Sequence, residues 1–163
     1  AFLVSGDIQA IEPWHDSRVA EIIRQVGGEY GAIGEGFGPG DAEVDAMSQH
    51  YRTELGGLYL VATVNGNLVG GGGVAGFNGS KETCELRKLF LLPEFRGLGL
   101  GKQITQRCLE FGKSNGFRRC YLDTLKSMTS AIGLYEKLGF HHLDHPLDGT
   151  IHNGCDVWMV KDF

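Results

Sequence analysis

Residues 96–102 read RGLGLGK, with Gly97, Gly99 and Gly101 on alternate positions, a basic residue at each end and a helix-spaced apolar segment following. The first backbone N–H groups of a helix have no partner within it, and the helix dipole adds partial positive charge there. Glycines let a phosphate reach those amides without meeting a Cβ, so the stretch is a sound anion cradle. Spacing excludes two common cradles. A Walker loop needs a glycine where Arg96 stands and a Ser or Thr where Gln103 stands. The dinucleotide fingerprint G-x-G-x-x-G would put its third glycine at Lys102 or Ile104.

Other chemistry-bearing residues point less sharply. His141, His142, His145, His152 and Cys155 are close in sequence, but their spacing matches no common zinc pattern. They read as a strand–turn–strand ribbon with surface histidines, and no metal is expected. Glu35, Asp41, Glu43 and Asp45 form an acidic loop that suits a cationic amine and equally suits plain solvation. Cys84, Cys108, Cys120 and Cys155 contain no C-x-x-C pair and read as reduced, mostly buried thiols of a cytoplasmic protein.

The elements that must position these residues follow from periodicity. Residues 8–14 suggest a short strand ended by Pro13. Asp16 is placed to cap a helix with Val19, Ile22, Ile23 and Val26 on one face, stopped by Gly27-Gly28. A glycine-rich loop spans 31–41, and Val44, Met47 and Tyr51 predict a helix over about 42–55. Residues 58–77 hold two β-rich runs flanking Asn65-Gly66, the type I′ hairpin dipeptide. A strand over 84–93 ends at Pro93, a helix covers about 99–113, and a strand follows at 119–125. A helix over 129–140 and two short strands near 141–143 and 155–161 close the chain. The order is β-α-α-β-β-β-α-β-α-β-β: a mixed α/β sheet whose later strand–helix–strand units favour parallel pairing.

At 163 residues the chain fits one domain with a proper core, and no apolar run is long enough to span a bilayer. Residues 1–6 are apolar but lack a basic flank and a long apolar region, which does not read as a signal peptide. The formal charge of −5 argues against a nucleic-acid surface, which needs a basic stripe.

Arg96, Gly99 and Gly101 satisfy Q/R-x-x-G-x-G/A, and LRKLFLLPEFRGLGLGK together with AIGLYEKLGF resembles two successive motifs of the GNAT superfamily of acetyl-CoA-dependent N-acyltransferases. The resemblance covers roughly residues 58–140 and, in element order, the whole chain. It implies a mixed, mostly antiparallel central sheet of about six to seven strands with helices on both faces. It also implies acetyl-CoA as acyl donor, a small-molecule or peptide amine as acceptor, and a homodimer as one expected assembly. By similarity the backbone of Leu89, Phe90 and Leu91 pairs with the pantetheine arm. The amides of Gly97, Leu98, Gly99, Leu100, Gly101 and Lys102 hold the pyrophosphate, with Arg96 either a phosphate partner or a surface charge.

Tyr135 stands where many members carry the tyrosine near the cofactor sulfur, where a phenol can protonate the departing thiolate; a place in the core is the alternative for a residue in line with Ile132 and Leu138. Glu85 stands where some members hold a general base, with Asp123 a lesser candidate; as bare sequence, Glu82, Glu85, Arg87 and Lys88 also read as a solvated strand edge. One departure is visible: where members often carry Asn three residues before Ala131, this chain has Met128, leaving Thr129 or Ser130 to replace its polar hold. Lys137 reads as a solvated helix lysine near the nucleotide end. The competing class is a non-catalytic module that keeps the cradle as a sensor, and Tyr135 speaks for an enzyme.

Overall fold

The computed structural model describes residues 6–32, 34 and 36–163. Residues 1–5, which carry the signal-peptide reading, and Glu35 of the acidic loop lie outside the described residues. Seven strands form one sheet in the order β1-β2-β3-β4-β5-β7-β6. They are β1 (Gly6–Ala10), β2 (Leu58–Val64), β3 (Asn67–Gly76), β4 (Thr83–Leu91), β5 (Arg119–Thr124), β6 (His141–Leu143) and β7 (Val157–Asp162). Among the described residues only β4 and β5 pair in parallel. The strand–helix–strand unit after β5 does not pair its own strands, because β7 inserts antiparallel between β5 and β6.

The β2–β3 hairpin turns at Asn65 and Gly66, with φ of 52° and 80°, the pair of left-handed residues that a type I′ turn demands. Next to it, the run Gly70–Gly73 is explained by crowding rather than by turning. A Cβ on Gly73 would come within 2.6 Å of the Tyr59 ring, and one on Gly72 within 2.9 Å of Ile104 and Leu89. Glycine there lets α3 (Leu100–Ser114) close on one face of the sheet while Tyr51 and Tyr59 close on the other. Beneath them Tyr59 donates a buried 2.8 Å hydrogen bond to the carbonyl of Lys88. Losing that donor would orphan a buried carbonyl at a cost of about 1–3 kcal/mol.

α1 (Asp16–Glu29) buries Val19, Ile22, Ile23 and Val26 as expected but does not stop at Gly27-Gly28. A Cβ on Gly27 would lie 2.4 Å from Pro39, so that glycine serves helix-to-loop packing. Asp16 is not the cap either: His15 precedes the helix, and the Asp16 carboxylate takes Ser48 N–H and Oγ at 2.8 and 2.6 Å. The helix predicted over 42–55 is broken into a 3-10 turn (Ala42–Ala46), α2 (Met47–His50) and a second 3-10 turn (Thr53–Leu55). α4 (Thr129–Lys137) completes the helices and buries Tyr135. Among the described residues no helix is long and apolar enough to cross a membrane.

Candidate active site

β4 and β5 pair over three residues only, Thr83–Arg119, Cys84–Cys120 and Glu85–Tyr121. Beyond Glu85 the two strands part, and a cleft opens between them, termed the transfer cleft for the role proposed for it below. Leu86–Phe90 line one wall of it and Leu122–Leu125 the other, with Met128, Tyr135, His152 and Cys155 around them. A second groove shares Leu89, Phe90 and Met128 with this cleft and runs on past Leu91, Arg96, Gly97, Gly99, Gly101, Lys102 and Ser130. Thr129 and Lys137 border a further outer groove that continues from Lys102 and Ser130.

The glycine turn is built as an anion cradle. Gly97 and Gly99 hold φ of 78° and 85°, and Gly99 is the residue from which α3 starts. Among the described residues, the backbone N–H groups from Gly97 to Lys102 have no backbone partner; the ladder begins with Gln103 N–H to Gly99 carbonyl at 3.1 Å. Leu98 leaves its side chain exposed and Leu100 buries its own, so both are available to a ligand through main chain alone. Arg96 is otherwise engaged. Its guanidinium forks onto Glu29 at 2.6 and 3.0 Å, reaches the Leu91 carbonyl at 2.8 and 3.0 Å, and lies 5.2 Å over the Tyr30 ring. That makes it a strut between loop and α1.

Tyr135 lines the cleft, its ring 5.8 Å from Phe140. Burial, reinforced by the neighbouring Cys120 and Cys108, pushes its phenol well above the ordinary tyrosine range, so it holds its proton at neutral pH. Met128, in the place of the motif asparagine, presents an apolar side chain to both cleft and groove, while Ser130 borders the groove.

Glu85 is not on a solvated edge. It is buried beside Arg87, whose Nε donates to it at 2.7 Å, and burial raises its carboxyl above the usual range despite that partner. Glu85 opens on an outer cavity with Asp41, Glu43 and Asn78, whereas Tyr135 opens on the transfer cleft. Arg87, Lys88 and His152 stand between and line both. Lys88 reaches that position through a bulge: Lys88 and Leu89 oppose the single residue Gly72, with Lys88 at a φ of 53°. Its ammonium, on a side chain only 2% exposed, binds Asp41 at 2.8 Å and Glu43 at 3.2 Å.

His152 is where sequence reasoning fails most clearly. Expected on a surface ribbon, it is buried, with Nδ1 2.9 Å from Asp123 Oδ1 and Nε2 2.8 Å from Asp41 Oδ2. Burial alone would favour the neutral ring, but hydrogen bonds to the two carboxylates outweigh it and raise the pKa to about 9. Burial would likewise raise Asp41, yet His152 and Lys88 hold its carboxyl below the ordinary value. Glu85, Asp123 and His152 bring ligand-type atoms within 4.8 Å of one another. In the protonated form that the two carboxylates favour, His152 donates to both of them. The same contact ties two loops over the cleft, helped by Gly154 N–H to Gly36 carbonyl at 2.9 Å. Phe37, Gly38 and Pro39 form the underside of this roof.

The family profile described as "Acetyltransferase (GNAT) family" matches residues 31–140, and the chain belongs to that family. It is 41% identical over 146 residues to "Uncharacterized N-acetyltransferase YjgM" of Escherichia coli (strain K12), covering 88% of this chain and 87% of that one. It is 30% identical over 117 residues to the "N-acetylaspartate synthetase" of Xenopus tropicalis, covering 68% of this chain and 42% of the relative. Its fold is similar to that of the acetyltransferase yncA from Salmonella typhimurium, solved with its cofactor acetyl-CoA, at a TM-score of 0.77 and 19% identity over 97% of this chain and 94% of that one. The protein is an acetyltransferase.

Proposed function

We propose that this chain, acting as one domain, moves an acetyl group from acetyl-CoA to a primary amine by direct attack while both substrates are bound. The observation that carries the reading is the continuous path from the bare amides of Gly97–Lys102 to Tyr135, along the edge of β4 that β5 abandons. The amides suit a diphosphate, which needs several donors converging on one point. The unpaired edge at Leu89, Phe90 and Leu91 suits an extended amide-bearing arm; the Leu91 carbonyl is already held by Arg96, so Leu89 and the Leu91 N–H remain for it. Thr129, Ser130 and Lys137 border the outer course of the same path and suit the nucleotide end.

Holding amine and thioester together contributes the largest share of the rate. Tyr135 donates its hydroxyl proton toward the leaving sulfur; a phenol kept protonated by burial is a hydrogen-bond donor at every working pH. The amine must shed one proton. Asp123 is the carboxylate facing the cleft and can take it directly. Glu85, its carboxyl raised above the usual range by burial, lies behind Arg87 on the outer cavity and would take it through water. A covalent route through Cys155, which also faces the cleft, is disfavoured: burial and the adjacent Asp123 raise its thiol far above the range where a thiolate forms.

The names of the N-acetylaspartate synthetases and of the E. coli relative support transfer to nitrogen. The decisive experiment compares thermal stabilisation by acetyl-CoA, ATP and NAD, followed by thiol release from acetyl-CoA across an amine panel. Stabilisation by acetyl-CoA with amine-dependent thiol release is the expected result. Stabilisation by ATP alone would overturn the reading, and binding without release for any amine would favour a sensor.

A further inference from the structure

The cations Arg87, Lys88 and His152 line both the transfer cleft and the outer cavity. The cleft adds a single carboxylate, Asp123, whereas Asp41, Glu43 and Glu85 line the outer cavity. Two of the three cations are saturated. Lys88 is bound by Asp41 and Glu43, and His152 by Asp41 and Asp123. Arg87 is not. Its Nε is fixed by Glu85 at 2.7 Å and its Nη2 gives one bond to the Gly76 carbonyl at 3.1 Å. Its Nη1 stands 4.0 Å from Glu43, beyond hydrogen-bond range. Beside that end lies Tyr51, whose buried hydroxyl is close to Arg87 and Glu43 but has no hydrogen-bond partner of proper geometry.

A guanidinium clamped at Nε with donors left over on its Nη atoms is prepared for a planar oxyanion. Within the cleft the one carboxylate that could receive a second ammonium is Asp123, and it is already bound by His152.

We propose that the acceptor is a small amino carboxylic acid whose carboxylate is bound by Arg87 and whose amine is directed toward the Asp123 side of the transfer cleft. The inference rests on the acetyl-transfer reading above and narrows its acceptor. Arg87 is then a specificity-determining residue, and the Glu85 contact at Nε holds its fork in orientation.

The test uses the intact protein with acetyl-CoA and matched pairs of acceptors: the amino acids and β-alanine against the amines that lack only the carboxylate. Thiol release at least about 100-fold faster, by kcat/KM, for one or more carboxylate-bearing members than for their decarboxylated partners is expected, because a site built to bond a group rejects the analogue lacking it. Arg87→Lys, which keeps the charge and loses the fork, should raise KM for the responsive amino acid at least about 10-fold. Its acetyl-CoA affinity should stay within about 2-fold, which also checks folding. Tyr51→Phe provides a second variant that leaves Arg87 in place, with the same direction of change in KM expected. Equal or faster release with decarboxylated amines or diamines overturns the assignment. Release from neither set by a protein that binds acetyl-CoA also overturns it while leaving the cofactor reading intact. Failure to bind acetyl-CoA defeats the reading beneath both.

Discussion

Tyr135 differs from the other buried tyrosines in what its hydroxyl faces. Tyr59 spends its hydroxyl on the Lys88 carbonyl, whereas Tyr135 looks into the cleft between β4 and β5. Tyr135→Phe should therefore cost activity far more than stability. A loss of kcat of about 100-fold is expected, the low end of what a positioned acid contributes. Acetyl-CoA affinity and the unfolding midpoint should be nearly unchanged. Stopped-flow thiol release beside calorimetric binding separates the two, and a kcat within a factor of two of wild type would remove Tyr135 from the mechanism. Tyr135 was legible in the sequence because it falls within a local motif, AIGLYEKLGF. Arg87 and His152 were not: charged residues on a strand and a histidine before the last strand carry no local mark of burial.

The elements were legible where their signals are local. The Asn65-Gly66 turn sits where the dipeptide puts it, and β4 ends just before Pro93 as a ladder must. Elements went wrong where distant side chains intervene. Val44, Met47 and Tyr51 are buried as their helical spacing requires, but Lys88 claims Asp41 and Glu43, and Asp16 claims Ser48. Those contacts hold the segment from outside it, and it is broken into turns. The glycine cradle belongs to this scale too. Gly99 starts α3 from a φ of 85°, so Gly99→Val forces a β-branched residue into the left-handed region and puts a side chain where the anion approaches. Acetyl-CoA affinity should fall at least about 10-fold by titration calorimetry. Gly28→Ala, at a helical site with open space where its Cβ would stand, serves as the control and should leave affinity unchanged.

At the scale of the molecule, the cluster of Asp41, Lys88, Asp123 and His152 joins a loop, two strands and the segment before β7, across 111 residues between Asp41 and His152. No window of sequence could reveal it. Because the His152 pKa is raised to about 9 in the folded protein from an ordinary value near 6.5, its protonated form favours the fold. That stabilisation is complete below about pH 6.5 and is lost as pH rises toward 9, amounting to roughly 2 kcal/mol after allowance for solvent screening. Chemical denaturation between pH 6.5 and 9.5 should show the fall in wild type, and His152→Gln should be less stable at pH 6.5 and much flatter across the range. A parallel decline in both proteins would assign the effect to other groups.

The roof formed where Gly36 meets Gly154 and Asp41 meets His152 has a kinetic corollary. On the proposed function, the donor enters the gap between the parted strands from the glycine turn and the acceptor from the Arg87 side. Spent CoA leaving by the glycine turn should compete with fresh acetyl-CoA yet leave the amine's side clear. Product inhibition by CoA is then competitive toward the donor and noncompetitive toward the acceptor, a pattern that steady-state velocities read directly.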